Sequence, residues 1–151
     1  MLCTPAYPRD YVDECRDRVA AQVAAYHALA GAVTGAAKKQ LAEFEHEFFA
    51  NMVITLDVYF THRSRTAEGK DGNPVNEVRI LGNCLVANDG IFSLTAKHES
   101  WHATLKTDKS IKYDAARSVL GYKVGDRIAI TEDEFVRLAD AFFATVEERF
   151  M

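Results

Sequence analysis

The chain has 151 residues, of which 48% are hydrophobic and 26% are charged, and its formal net charge is −4. This size and composition are typical of one globular domain over residues 1–151, and they exclude collagen-like and disordered classes. The acidic balance gives no general attraction to nucleic acid, and no stretch reaches the roughly 18 continuous apolar residues of a membrane span, so we expect neither partner.

The first half of the chain predicts two amphipathic helices, over residues 10–30 and 37–62. In the first, apolar residues recur every three or four positions and Gly31 follows: Val12, Cys15, Val19, Val23, Tyr26 and Ala30. In the second, one face holds Leu41, Phe44, Phe48, Met52, Leu56 and Tyr59, and Phe49, Val53 and Phe60 widen it. Because so much of its circumference is apolar, we predict that the second helix is the central one.

A third helix is predicted over residues 74–88, after a loop of turn formers and charges at 63–72. Asn73 followed by Pro74 is typical of a helix start, an N-cap residue before proline at the first helical position. The apolar stripe consists of Val78, Leu81, Cys84 and Leu85, and Asn88-Asp89-Gly90 predicts the helix end.

The last third of the chain predicts a short helix, a small β ribbon and a final helix. Residues 93–106 favour a helix, although Trp101, Ala103 and Leu105 would alternate if the segment were extended. Residues 110–131 hold short β-prone runs around glycines. Thr131 and Glu134 form a capping-box pattern before a helix over 132–149, whose stripe is Phe135, Leu138, Phe142, Val146 and Phe150.

These elements predict an all-α fold, an antiparallel bundle of about four main helices. The short helix and the β ribbon are inserted before the C-terminal helix. The chain contains nine Phe and six Tyr, more than a slim bundle needs. We therefore expect either an apolar pocket for a small-molecule ligand or, preferably, a homodimer face.

The residues His98-Glu99-Ser100-Trp101-His102 form an H-E-x-x-H pattern. On a helix this spacing places His98 and His102 one turn apart on the same face, where both can bind one zinc ion. Glu99 would then act as the general base for a metal-bound water. The pattern therefore predicts a zinc-dependent hydrolase with His98 and His102 as metal ligands and Glu99 as a catalytic residue.

Over residues 95–104 the pattern resembles the zinc-binding helix of zincin metallopeptidases, with uncharged residues beside the histidines. The resemblance implies a third metal ligand, and Glu132, Glu134 and Asp140 lie downstream of the pattern. None of them stands in a third-ligand motif, and Thr104 replaces an apolar residue of the family. The wider sequence thus argues against membership of that family.

A second metal hypothesis comes from two E-x-x-H patterns, Glu43 to His46 and Glu99 to His102. Together with Glu14 and Glu77, their order along the chain resembles the ligand set of ferritin-like di-iron bundles. At about 100° per residue, however, Glu14 and Glu43 lie opposite the apolar stripes of their helices. Only half of this set is predicted to point inward.

Glu45 and Glu77 fall on apolar faces of the second and third helices. A buried carboxyl group must be paired or neutral, so the two groups could approach each other or take Arg63 or Arg79 as a partner. Such a pair in a pocket predicts a small-molecule enzyme with Glu45 and Glu77 as catalytic residues. The alternative is a structural role, because a carboxylate in the first turn of a helix, such as that of Glu77, interacts favourably with the helix dipole.

The three cysteines include no C-x-x-C pair, and the first ten residues lack the basic and apolar regions of a secretion signal. Both observations favour the cytoplasm. The sequence as a whole predicts a non-catalytic binding or assembly module. The zinc hydrolase and the pocket enzyme remain as alternatives, and zinc is the cofactor that the first of them requires.

Overall fold

The computed structural model describes residues 7–60, 72–96, 113–149 and 151. In these ranges it contains four α-helices, which we number in chain order: α1 (Arg9–Ala32), α2 (Gly35–Tyr59), α3 (Pro74–Ala87) and α4 (Glu132–Arg149). Their ends differ from the predicted ones by at most three residues. The all-α prediction is confirmed for this part of the chain.

Local signals fix the starts of three helices. The Asn73 side chain accepts hydrogen bonds from the backbone N–H groups of Val75 and Asn76, at 2.9 and 3.1 Å, as its N-cap position predicts. Thr131 Oγ1 accepts from the N–H of Glu134 at 3.3 Å. Between α1 and α2 the chain reverses at Gly35, whose φ of +64° lies in the left-handed region that favours glycine.

Helices α1 and α2 form an antiparallel hairpin. The Tyr11 hydroxyl, near the start of α1, donates to the backbone carbonyl of Tyr59, at the end of α2, with a distance of 2.6 Å. Towards the other end of α1, the Tyr26 ring stacks on Phe48 with centroids 5.2 Å apart. These contacts lie at opposite ends of the hairpin, so the predicted antiparallel arrangement holds for this pair.

Helix α4 runs parallel to α2 and closes the core through aromatic contacts. The rings of Phe49 and Phe135 lie 5.5 Å apart. Further towards the C-terminal ends of both helices, the rings of Phe60 and Phe142 also lie 5.5 Å apart. Phe49, Phe60, Phe135 and Phe142 are fully buried. Much of the aromatic content that suggested a dimer face is therefore used inside the monomer.

Helix α2 packs against each of the other three helices, as its predicted central position requires, but α3 is the most completely buried helix. Every residue from Val75 to Cys84 is buried, including polar ones. In α2 the first half is mostly exposed, and Phe44, predicted to lie on the inner stripe, is 50% exposed. The polar residues of α3 give its sequence an amphipathic pattern, but in the structure these residues are buried together with the apolar ones.

The predicted β ribbon is not seen in the described residues. The segment 113–131 consists of turns and irregular backbone, with one antiparallel bridge between Ile91 and Arg127. Phe92 donates to the carbonyl of Asp126 at 2.8 Å, and Ile128 donates to that of Gly90 at 2.8 Å. Residues 93–96 are not helical, and the rest of the predicted short helix lies outside the described residues.

None of the helices in the described ranges is long and apolar enough to cross a lipid bilayer.

Candidate functional site

The H-E-x-x-H pattern lies outside the described residues, so the zinc site formed by His98, Glu99 and His102 stays a prediction. In the described ranges no three His, Cys, Asp or Glu side chains are grouped so that they could hold a metal ion. The di-iron residues within those ranges, namely Glu14, Glu43, His46 and Glu77, are accordingly not gathered at one point.

Glu77 lies in the interior and binds the segment that precedes α4. Its two carboxylate oxygens accept hydrogen bonds from the backbone N–H groups of Val119 and Leu120, at 2.8 and 3.0 Å. Only 3% of the residue is exposed. Burial raises the pKa of the Glu77 carboxyl above its ordinary value, although the two N–H donors oppose part of this change.

Arg79 pairs with Asp57 of α2 and not with Glu77. Arg79 Nε lies 3.3 Å from Asp57 Oδ1, and both side chains are at least nine-tenths buried. Asp57 was not among the residues predicted to form a site, although the sequence contains a signal for its burial. At about 100° per residue Asp57 falls on the same arc as Val53, Leu56 and Phe60, as a buried carboxylate would.

Glu45 contacts the start of α4, whereas Glu77 contacts the segment before that helix. Its Oε2 accepts a hydrogen bond from the N–H of Glu132, the first residue of α4, at 3.2 Å. The neighbouring His46 accepts from the N–H of Ile130 through Nδ1, at 3.0 Å. Glu45 thus takes up one of the N–H groups that a helix start leaves unpaired. Both carboxylates proposed as catalytic bind backbone N–H groups.

A polar cleft of about 390 Å³ lies between α2 and the bridge region. Its charged and polar lining residues are mostly exposed, and they include His46, Glu47, Asn51, Asp89 and Arg127. One nitrogen of the Arg127 guanidinium donates to the backbone carbonyl of Asp89 at 3.2 Å. The cleft is therefore solvent-exposed and contains charged groups of both signs.

A larger, apolar groove of about 520 Å³ lies between α1 and α4, and we call it the α1–α4 groove. Helix α1 contributes small and medium apolar side chains, namely Val19, Ala20, Val23, Ala24 and Ala28. Helix α4 contributes Phe135, Val136, Ala139 and Phe143. This volume falls within the range of about 300–1,000 Å³ that is typical of ligand pockets.

Polar side-chain contacts at both ends of the α1–α4 groove show that the two helices run antiparallel. At one end Arg16 forms an ion pair with Glu147, and its guanidinium lies 5.1 Å from the centre of the Phe143 ring. At the other end His27 Nδ1 lies 2.8 Å from a carboxylate oxygen of Glu132. The apolar surface of the groove is thus bounded by polar groups at both of its ends.

The charges along the groove are predominantly negative. Glu132 and Asp140 line it directly. The one guanidinium in the lining, Arg16, is also 3.6 Å from Asp13, so two carboxylates oppose its charge. Helix α4 as a whole has six acidic residues and two arginines. The groove therefore combines apolar surface with an excess of carboxylates.

The α1–α4 groove was not predicted from the sequence. Three of its α1 residues are alanines four positions apart, which on a single helix look like neutral surface. Phe135, Ala139 and Phe143 of α4 also repeat every four residues, beside the predicted stripe through Leu138 and Phe142. This second stripe was the available signal, but only the packing of the two helices shows that the surfaces face each other.

Comparison of the chain with protein-family models, with curated proteins and with solved structures finds no match.

Proposed function

We propose that the protein is a non-catalytic binding module and that the α1–α4 groove is its ligand-binding surface. The observation that carries the proposal is a concave apolar surface of ligand size, built from two helices and bounded at each end by a polar side-chain contact. Apolar pockets with a few polar groups at their margins are the usual form of small-ligand and peptide sites.

The positions of Glu45 and Glu77 support a binding role over a pocket enzyme. A general acid or base must reach the substrate, within hydrogen-bond distance or through one water. Glu77 is buried with both oxygens bound to backbone N–H groups, and Glu45 binds the first turn of α4. Each carboxylate therefore has a structural task, and the two lie on different segments of the fold.

Zinc binding at His98 and His102, with Glu99 as the base, remains the alternative enzyme hypothesis. Elemental analysis of untagged protein separates it from the binding module. About one zinc per chain, released by His98→Ala and by His102→Ala, would favour the hydrolase.

The cytoplasm remains the proposed location, supported by Cys15 and Cys84, which are buried free thiols. The homodimer also remains a prediction. Light scattering coupled to size exclusion measures it directly, and we do not base the binding proposal on it.

The groove is tested with a neutral dye whose fluorescence rises in apolar surroundings, N-phenyl-1-naphthylamine. We expect about one dye per chain and a loss of affinity of roughly tenfold, or about 1.4 kcal/mol, in Ala24→Phe, because the new ring occupies the groove. Ala25→Phe is the matched control, since Ala25 is exposed on the same helix but does not line the groove. Circular dichroism verifies that both variants fold.

Equal dye binding by Ala24→Phe and Ala25→Phe, or no binding by the unaltered protein, would overturn the proposed function.

A further inference from the structure

We infer that the occupant of the α1–α4 groove is a basic amphipathic helix of another protein. The inference rests on the proposed function and specifies its ligand. Three properties of the groove lead to it: its length, its narrow wall of alanines and its charge.

The groove has the length of a helical segment. Arg16 and His27 mark its ends and are eleven residues apart in α1, which corresponds to about 16 Å at a rise of ~1.5 Å per residue. This is about three helical turns. A docked helix presents apolar side chains at i, i+3 or i+4, and i+7, so it would fill such a length with one row of anchors.

The α1 wall allows a helix to approach closely. Ala20, Ala24 and Ala28 recur every four residues and therefore lie along one row of the helix surface. Rows of this spacing form the ridges and grooves by which helices pack against each other. With only a methyl group at each position, the wall leaves space for larger side chains of a third helix above Val23 and Phe135.

The charge of the margins selects a basic partner. Glu132 and Asp140 line the groove, while the Arg16 charge is opposed by Asp13 and Glu147. Lysine or arginine side chains flanking the apolar row of a docked helix would meet these carboxylates. A second copy of this chain fits less well, because its own α1 and α4 would bring an excess of carboxylates against the same margins.

The test uses three labelled synthetic peptides of about 16 residues, long enough for four helical turns. The first has leucines on one helix face and lysines elsewhere; the second has glutamates in place of the lysines. The third has the composition of the first with its leucines scattered around the helix. Fluorescence anisotropy should give an affinity for the first that is roughly tenfold higher than for either of the others, and that weakens with added salt.

A charge-matched pair of variants locates the interaction. Asp140→Lys and Asp17→Lys change the net charge equally, but Asp17 is an exposed residue of α1 that does not line the groove. We expect Asp140→Lys to weaken binding of the basic peptide by about fivefold and to strengthen binding of the acidic one. Asp17→Lys should change either affinity by less than about twofold.

The inference is overturned if the acidic peptide binds as tightly as the basic one, or if the two variants have equal effects. It is also overturned if the peptides do not bind while the dye does, in which case the groove takes small apolar molecules and the proposed function stands. Failure of the dye experiment itself would remove the proposed function as well.

Discussion

At the residue scale, the carboxylates show that tertiary contacts determine the partners of a side chain. The sequence places Glu77 on an apolar face, which correctly indicates burial. It could not show that the partners would be the backbone N–H groups of Val119 and Leu120, more than forty positions away. Backbone donors carry no sequence signal, because every residue except proline supplies one.

Glu77 should give the stability of the protein a measurable dependence on pH. Burial raises the pKa of this carboxyl in the folded state above the ordinary value of 4.5. The folded state therefore holds the proton more tightly than the unfolded state, and between the two pKa values the free energy of unfolding falls as pH rises. This contribution is complete at pH values below 4.5 and is lost as pH passes the folded pKa.

Urea unfolding of the unaltered protein and of Glu77→Gln, measured over a pH series, isolates this contribution. We compare the two proteins by the difference between their free energies of unfolding, unaltered protein minus variant. This difference should decrease as pH rises above 4.5, because Glu77 ionises in the unaltered protein and glutamine does not ionise in the variant. Glu43→Gln, at an exposed position of α2, is the matched control for replacing a carboxyl group by an amide. A difference that stays constant or grows with pH would show that the Glu77 pKa is not raised.

At the element scale, the helices and their starts were predictable, and their positions relative to one another were less so. Apolar periodicity and N-cap residues are local, and they predicted α3 and α4 to within one residue. How completely a helix is buried depends on its neighbours on all sides. Helix α3 contains Asn76, Arg79 and Asn83, and a periodicity argument assigns these residues to a solvent face although all three are buried here.

The uneven burial along α2 predicts unequal effects for two of its phenylalanines. Phe44→Ala should cost less than about 1 kcal/mol of unfolding free energy, because half of this side chain is exposed. Phe49→Ala should cost about 3–5 kcal/mol, because Phe49 is fully buried and its loss leaves a cavity against Tyr26 and Phe135. Urea unfolding measures both, and similar losses would contradict the assignment of the first half of α2 to the surface.

At the scale of the whole molecule, the core and the candidate site share residues of the same helices. Val12 of α1 and Leu138 of α4 belong to the core alone, Phe135 belongs to the core and also lines the α1–α4 groove, and exposed alanines of α1 complete the wall of the groove. The sequence predicted the apolar faces that build the core. It could not predict the groove, because a groove depends on the rotation of two helices that are separated by about a hundred residues of chain.

The most direct test of the binding proposal is a methyl NMR spectrum of the protein recorded with and without N-phenyl-1-naphthylamine. We expect the largest chemical-shift changes at Val23 and Val136, which line the groove. Val58, Val86 and Val124 are exposed elsewhere on the molecule and should change little. Changes at these three valines as large as those at Val23 and Val136 would contradict the assignment of the α1–α4 groove as the ligand-binding surface.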